Sequence, residues 1–472
     1  MIQSIDYWAI AAPLILALTA GLVLLLDAFL PARRGVRTAL GCVTLAALVA
    51  AFGVVVAQAG GTWETFCVPS VGCSYVVDPI TVVFAGLALG AGIVVVLLSM
   101  GQLADGDVPV GEWYFLLLAA LTGAVTLPAS RDLIMLVVAL ELVSLPVFAL
   151  TALRRYDGRG AEAALKLFVV SVVSTAVMLF GVSLLYGVTG AVHLDAIAAA
   201  LAQPERPGAG PVVAVGAVMV IAGFGFKIAA VPFHFWAGDV YQGAPIPVAA
   251  LLSVVSKAAG FAGLILVLTQ ALPSESATWT PIVAILAALT MTVGNVLALR
   301  QTHPVRLLAW SSVAQSGYVL APIATTDTQA ATAYLVFYAA MNLTAFAVVM
   351  AVPHDTLDGY RGLAFARPGA GLALAFALIC LAGLPPGLAG LFAKVVVFRE
   401  VVAGGLGWLA VVMAVNTVIG LYYYIAWTAR LFTPADTVRA ATTRPAWIAV
   451  AVAGVVAVAF SVAPQLVLSA LG

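Results

Sequence analysis

Charged side chains are scarce in this sequence. They account for 8% of its 472 residues, where an ordinary soluble domain carries about 25%. That scarcity excludes a soluble globular fold. Basic and acidic residues balance to a net charge of zero, so no bulk basic surface points to nucleic acid. The four histidines, His193, His234, His303 and His354, are scattered. There is no G-x-G-x-x-G, P-loop, H-E-x-x-H or C-x-x-C, and nothing has haem or iron–sulfur spacing. A self-contained redox enzyme is therefore not expected. No positive n-region precedes the first apolar run, so that run reads as a retained helix rather than a cleaved signal.

Apolar residues fill the space. They make up 64% of the chain, in runs long enough to cross a hydrocarbon core of about 30 Å. The expected class is an all-α polytopic membrane protein. Fourteen candidate spans can be drawn, roughly 8–30, 37–57, 76–100, 112–129, 132–152, 162–187, 211–233, 246–270, 281–300, 304–323, 330–352, 369–390, 405–429 and 445–470. The 43 glycines and 24 prolines suit close helix contacts and kinks in a membrane bundle. Lipid is the expected surrounding partner. Cys42 and Cys380 fall in apolar runs and read as core fillers. Cys67 and Cys73 flank the loop "CVPSVGC", where a disulfide and two free thiols are both open readings.

Arginine placement tests the span count. With the N-terminus outside, thirteen arginines fall at inner loops or their edges (33, 34, 37, 154, 155, 159, 300, 306, 361, 367, 430, 439 and 444), against three outside (131, 206 and 399). That bias follows the positive-inside rule and puts both termini outside.

Four ionisable residues sit deep in apolar stretches, where a charge is costly and usually functional. Glu141 lies in "LIMLVVALELVSLPVFAL", before Pro146. Lys227 lies in "GFGFKIAAVPFHFWAGDV", five residues before Pro232. Proline removes a helical hydrogen bond, and irregular backbone survives in a membrane only against protein or a wet cavity. Lys257 lies on the next span, with Ser253 four residues before it and so on the same face. Its spacing lets it meet Lys227 near mid-membrane. Lys394 follows the doubled Pro385–Pro386 in "ICLAGLPPGLAGLFAKVVVF". A proline break with a buried lysine thus occurs in each half, as in transporters with inverted repeats. Other polar groups have two open readings. Lys166 and Glu162 form either an interfacial i,i+4 pair or a device tuning Glu141. His234 is either a proton relay or an interfacial histidine. Asp239 either caps the stretch after the break or organises its loop. The aromatics of "LYYYIAWTARLF" read as an interfacial belt.

These stretches, with "VGNVLALRQTHPVRLLAWSSVAQSGYVLAP", "YAAMNLTAFAVV" and "NTVIGLYYYI", resemble the subunit N family of bacterial respiratory complex I, the NADH–quinone oxidoreductase. The resemblance covers most of residues 111–429 and weakens over 1–75 and 430–472. It implies fourteen helices and two inverted five-helix repeats with interrupted helices. The implied divisions are a three-helix segment (1–110), repeats at 111–270 and 281–430, and a C-terminal helix (440–472). It implies proton translocation driven by quinone reduction elsewhere in the complex, in a bacterial inner membrane. Glu141, Lys227, Lys257 and Lys394 match the family's proton-transfer residues, with Lys166 and His234 secondary. It implies no cofactor or metal on this chain, with FMN, iron–sulfur clusters and quinone on partner subunits. The expected partners are a related antiporter-like subunit and small membrane subunits. Gln315 stands where relatives commonly carry histidine, and glutamine cannot titrate. Lys394 separates the chain from the M-type subunits, which usually have glutamate there. Its single span after residue 440 leaves no room for the lateral helix of the L-type. A subunit of a multi-subunit cation/proton antiporter is the alternative function, and a non-transporting scaffold is a further one.

Overall fold

The computed structural model describes residues 5–31, 33–69, 72–103, 108–154, 156–203, 209–434 and 443–470. Arg155, Arg206 and Arg439, counted in the charge bias above, lie outside the described residues, as do the two residues at the centre of the "CVPSVGC" loop.

The fold is helical and polytopic. Among the described residues, twelve helices are long and apolar enough to cross a membrane. Three helices begin at an aspartate cap. Asp132 accepts from Met135 N at 2.7 Å and opens helix Leu133–Ala152. Asp157 opens Gly158–Thr189, and Asp327 opens Thr328–Ala351. Each carboxylate takes an amide N–H that the helix leaves unpaired. Gly190, at φ +68°, ends the 32-residue helix, a conformation glycine adopts at no steric cost.

Several expected spans change on inspection. The span at 211–233 is helix Ala209–Lys227, which stops at the lysine, followed by a non-helical stretch and the short helix Trp236–Gly243. The span at 369–390 divides into Pro368–Ala382 and Leu388–Ala403. Helix Pro304–Ile323 is buried nearly throughout and carries many hydroxyl and amide groups, so it is shielded by protein rather than lipid. The all-α expectation needs one correction. Strands Trp63–Val68 and Gly72–Val77 form an antiparallel hairpin, with Cys67 opposite Cys73. Those two cysteines are joined in a disulfide. Cys42, read as a core filler, is exposed on its helix, while Cys380 is buried.

The chain divides into two compact units. One comprises Met1–Ile93, Asp107–Ala229 and Val255–Ile282, and the other Val94–Gly106, Ala230–Val254 and Val283–Gly472. In the first, glycine sets helix spacing where backbones touch. A Cβ on Gly123 would lie 2.7 Å from Ala139 O, and one on Gly181 2.7 Å from Gly216 O. The first contact seats the helix bearing Glu141 on helix Val110–Thr126, and the second draws together the helices bearing Ser171 and Lys227. Arg131 is buried in this unit, 2.6 Å from Asp78. It also donates to the carbonyls of Pro128 and Ser130. It is a structural ion pair rather than a loop charge set by topology.

Candidate functional site

Lys227 is the last residue of its helix, and its side chain is 6% exposed. Its Nζ donates to Ser144 Oγ and, at 2.9 Å, to Ser171 Oγ. Glu141 Oε1 lies 3.9 Å from the same nitrogen and accepts from Thr175 Oγ1 at 2.7 Å. One amine is thus surrounded by two hydroxyls and a carboxylate from helices Leu133–Ala152 and Gly158–Thr189. The lysine also sits at a helix C-terminus, where unpaired carbonyls favour a cation.

Lys257 belongs to the same unit and is 1% exposed. It opens helix Lys257–Leu266 directly after a π-helical stretch, Leu252–Ser256. Such wider turns often mark functional positions. Ser253 lies within that π-helical stretch, where its Oγ donates to Ala250 O and accepts from Asn342 Nδ2 at 2.8 Å. Gly260, one turn beyond Lys257, lets this helix press on the Lys227 segment. A Cβ there would stand 3.1 Å from Lys227 Cβ and 2.9 Å from Ile228 Cγ2.

Lys394 belongs to the second unit and is 6% exposed. Its Nζ donates to Ala382 O at 2.7 Å and lies 5.4 Å from the Tyr318 ring centroid. Ala382 is the last residue of the interrupted helix. Gly383, at φ +83°, makes room, since a Cβ there would fall 2.9 Å from Lys394 Cδ. Gln315 Nε2 contacts the preceding carbonyl, Leu381 O, at 3.4 Å. Both interrupted helices therefore end at a buried lysine. In one case the lysine is the helix's own last residue, and in the other it comes from the next helix.

Around Lys394 lies a hydroxyl network with few clear marks in the sequence. Tyr334 donates to Gln315 Oε1, and Gln315 donates to Tyr424 OH at 3.1 Å. Tyr424 OH is hydrogen-bonded to Ser311 Oγ at 2.5 Å. Tyr338 donates to Ser312 Oγ at 2.7 Å and to Ser253 O at 3.2 Å. Tyr423 donates to Asn295 Oδ1 at 2.9 Å. The belt reading of "LYYYIAWTARLF" thus holds only for one tyrosine. Tyr422 is exposed, but Tyr423, Tyr424 and Trp427 are buried, because consecutive helical residues point about 100° apart.

The remaining predicted residues lie elsewhere. Lys166 pairs with Glu162 at 2.8 Å, with both side chains exposed. His234, in the second unit, is half-buried with its ring 5.7 Å from Trp310. Asp239 pairs with Arg306 at 2.8 Å, which ties the short helix after the break to helix Pro304–Ile323. Among the described residues, the one cluster with metal-ligand types is Glu64, Cys67 and Cys73. Its sulfurs are joined as a disulfide, so they are not the thiolates that bind metal.

A family profile described as NADH:quinone oxidoreductase/Mrp antiporter, TM, matches residues 130–420, the stretch that carries both lysine sites. NADH-quinone oxidoreductase subunit N 2 of Streptomyces griseus is 53% identical over 449 residues, covering 92% of this chain and 84% of that protein. The chain belongs to the subunit N family of NADH-quinone oxidoreductases. Subunit N of Salinispora tropica is 46% identical over 457 residues, covering 92% of this chain and 86% of that protein. Respiratory complex I from Thermus thermophilus, solved with bound aureothin, contains a chain that superposes with TM-score 0.83. That chain is 34% identical, and the match covers 98% of this chain and all of that one. A chain of the Mrp complex from Dietzia shares the fold, with TM-score 0.86 at 20% identity and coverage of 98% and 96%. This subunit N is a multi-pass bacterial membrane protein that works within a multi-subunit complex. It is a membrane subunit of the proton-translocating NADH:quinone oxidoreductase.

Proposed function

We propose that subunit N moves protons along an internal line of ionisable side chains. Glu141 sets the charge of Lys227. Lys227 and Lys257 exchange protons through water, and Lys394 connects to the opposite side. Lys166 and His234 are secondary positions. The observation that carries this reading is the Lys227 cage: an amine inside the bundle, held by two hydroxyls, with a carboxylate 3.9 Å away. A buried ammonium is tolerated when paired and hydrogen-bonded. Here the carboxylate lies beyond hydrogen-bonding range, so the pair is loose enough for the charge to be shared or lost during turnover. Gln315 orders its neighbours and carries no proton of its own.

The architecture that goes with this role has fourteen transmembrane helices. It comprises a three-helix segment (1–110), inverted five-helix repeats at 111–270 and 281–430, and a C-terminal helix (440–472). Two helices that end at a buried lysine support the repeat. Both termini face the periplasm, a reading supported by the arginine bias of the loops. A related antiporter-like subunit and small membrane subunits are the neighbours. FMN, iron–sulfur clusters and quinone reside on partner subunits.

The test is Lys227→Ala in the whole complex, followed by proton uptake into inside-out vesicles per NADH oxidised. The complex assembles, and both proton transfer and coupled quinone reduction fall. An unchanged proton-to-electron ratio and rate would reject the role of Lys227.

A further inference from the structure

An apolar groove of about 870 Å³ opens on the second unit, between helices Pro368–Ala382 and Arg444–Val462. Leu372, Phe376 and Ile379 line one wall, and Ala451, Val455 and Val458 the other. The two helices run in the same direction. Cys380 Sγ approaches Ser461 Oγ at 3.8 Å, and that hydroxyl accepts from Ala389 N at 3.1 Å, so their C-terminal ends lie together. Their N-terminal ends therefore lie at one membrane face. The lining runs from Gly369 to Ile379 and from Trp447 to Ala459, roughly 15–18 Å at 1.5 Å per residue. That is the depth of one leaflet of a core about 30 Å thick.

An arginine stands at the mouth on each side. Arg367 directly precedes the first helix and Arg444 begins the second. Both are exposed, and among the described residues neither is in an ion pair. Arg430, near the same end, is already engaged, with Asp358 at 3.0 Å. Trp447 lines the groove one turn inside, where an amphipathic ring suits the headgroup boundary.

We propose that this groove is a binding site for an anionic phospholipid, with an acyl chain between the two helices and the phosphate on Arg367 and Arg444. Apolar lining of leaflet depth suits the chain, and an exposed arginine at the start of each lining helix suits a phosphate. The bound lipid packs against the helix whose C-terminal carbonyl holds Lys394, so it steadies that end of the proton path from the lipid side.

The experiment uses the purified whole complex in phosphatidylcholine nanodiscs. These contain a minor fraction of phosphatidylglycerol carrying a photoactivatable group on its acyl chain. Labelled phosphatidylcholine serves in a parallel sample. Cross-linked peptides from 368–382 and 444–462 are quantified by mass spectrometry. Phosphatidylglycerol labels these helices up to roughly thirtyfold more than phosphatidylcholine, the preference two surface arginines supply. The double variant R367Q/R444Q removes that preference, and Ala451→Phe, which fills the groove, removes labelling by both lipids. If Ala451→Phe fails to assemble, the arginine variant decides alone, since both its positions are exposed. Equal labelling by the two lipids in the unaltered complex would overturn the proposal. So would a preference that survives R367Q/R444Q. Absence of label from both helices would overturn it too, because a partner subunit then covers the groove.

Discussion

The two serines that hold Lys227 provide the sharpest test of how the site works. Ser144→Ala and Ser171→Ala each remove one hydroxyl acceptor from the amine while leaving Glu141 and Thr175 in place. A hydrogen bond to a charged group contributes about 1.5–3 kcal/mol. The low end applies here, because the remaining partners relax toward the amine and the two serines belong to one network. About 1.5 kcal/mol is roughly a tenfold fall in the ratio of charged to neutral Lys227 for each serine. Glu141 alone cannot make this good, since at 3.9 Å it offers attraction without a hydrogen bond. Where that charged form limits turnover, either single variant slows proton transfer by up to about tenfold, and the double variant slows it further. Ser174→Ala is the control. It lies on the same helix, its hydroxyl reaches Gly223 O at 3.4 Å, and it does not touch the amine. The assay is NADH-driven acidification of inside-out vesicles, with complex content measured on native gels. A double variant that assembles and pumps at the unaltered rate would refute the reasoning, as would an equal loss in the Ser174 control.

Gly383→Ala places a side chain at φ +83° and 2.9 Å from Lys394 Cδ. The backbone strain costs about 1–2 kcal/mol and the lysine is pushed from Ala382 O. Coupled activity falls to the level of Lys394→Ala, and combining the two adds little, as coupled vesicle assays can measure. Gly390→Ala is more severe, because its Cβ would lie 1.6 Å from Cys380 O. No side-chain motion relieves a clash with backbone, so the complex fails to accumulate on native gels. His354, outside the membrane spans, packs on Tyr360 at 5.0 Å. Burial lowers its pKa below the usual histidine value, and Asp355 partly offsets this. The folded loop favours neutral imidazole, so its contribution is complete above pH 6.5 and declines as pH falls through the depressed value. Protection factors of residues 352–362, taken relative to the slower intrinsic exchange at low pH, fall on acidification, and His354→Phe removes that dependence.

Residue chemistry and spacing were enough to locate the three buried lysines, the half-buried Glu141 and both proline-bearing breaks. A charge inside a long apolar run is conspicuous because the membrane penalises it. Lys227, Lys257 and Lys394 are accordingly all buried. What a proline alone did not reveal is whether the helix ends at it: the segments 211–233 and 369–390 break, whereas Pro146 and Pro281 sit inside continuous helices. The hydroxyl partners were not legible either. Most serines and threonines in these helices bond to the carbonyl four residues back, as Thr44, Ser99 and Thr122 do. Ser144 makes that bond too, to Leu140 O, and in addition accepts from Lys227. Nothing local distinguishes the serine that does both from those that do one.

The amino-acid sequence by itself determined that this chain lives in a membrane and where along it charge must be accommodated. Those outcomes depend on transfer energies, which each residue carries with it. Tertiary structure alone decided which groups receive the charge: two serines and a glutamate for Lys227, a helix-end carbonyl for Lys394, and tyrosines rather than a histidine around Gln315. Such partners come from helices far apart in the chain. Their meeting depends on which glycines let two backbones approach, a property of pairs of helices rather than of any one segment.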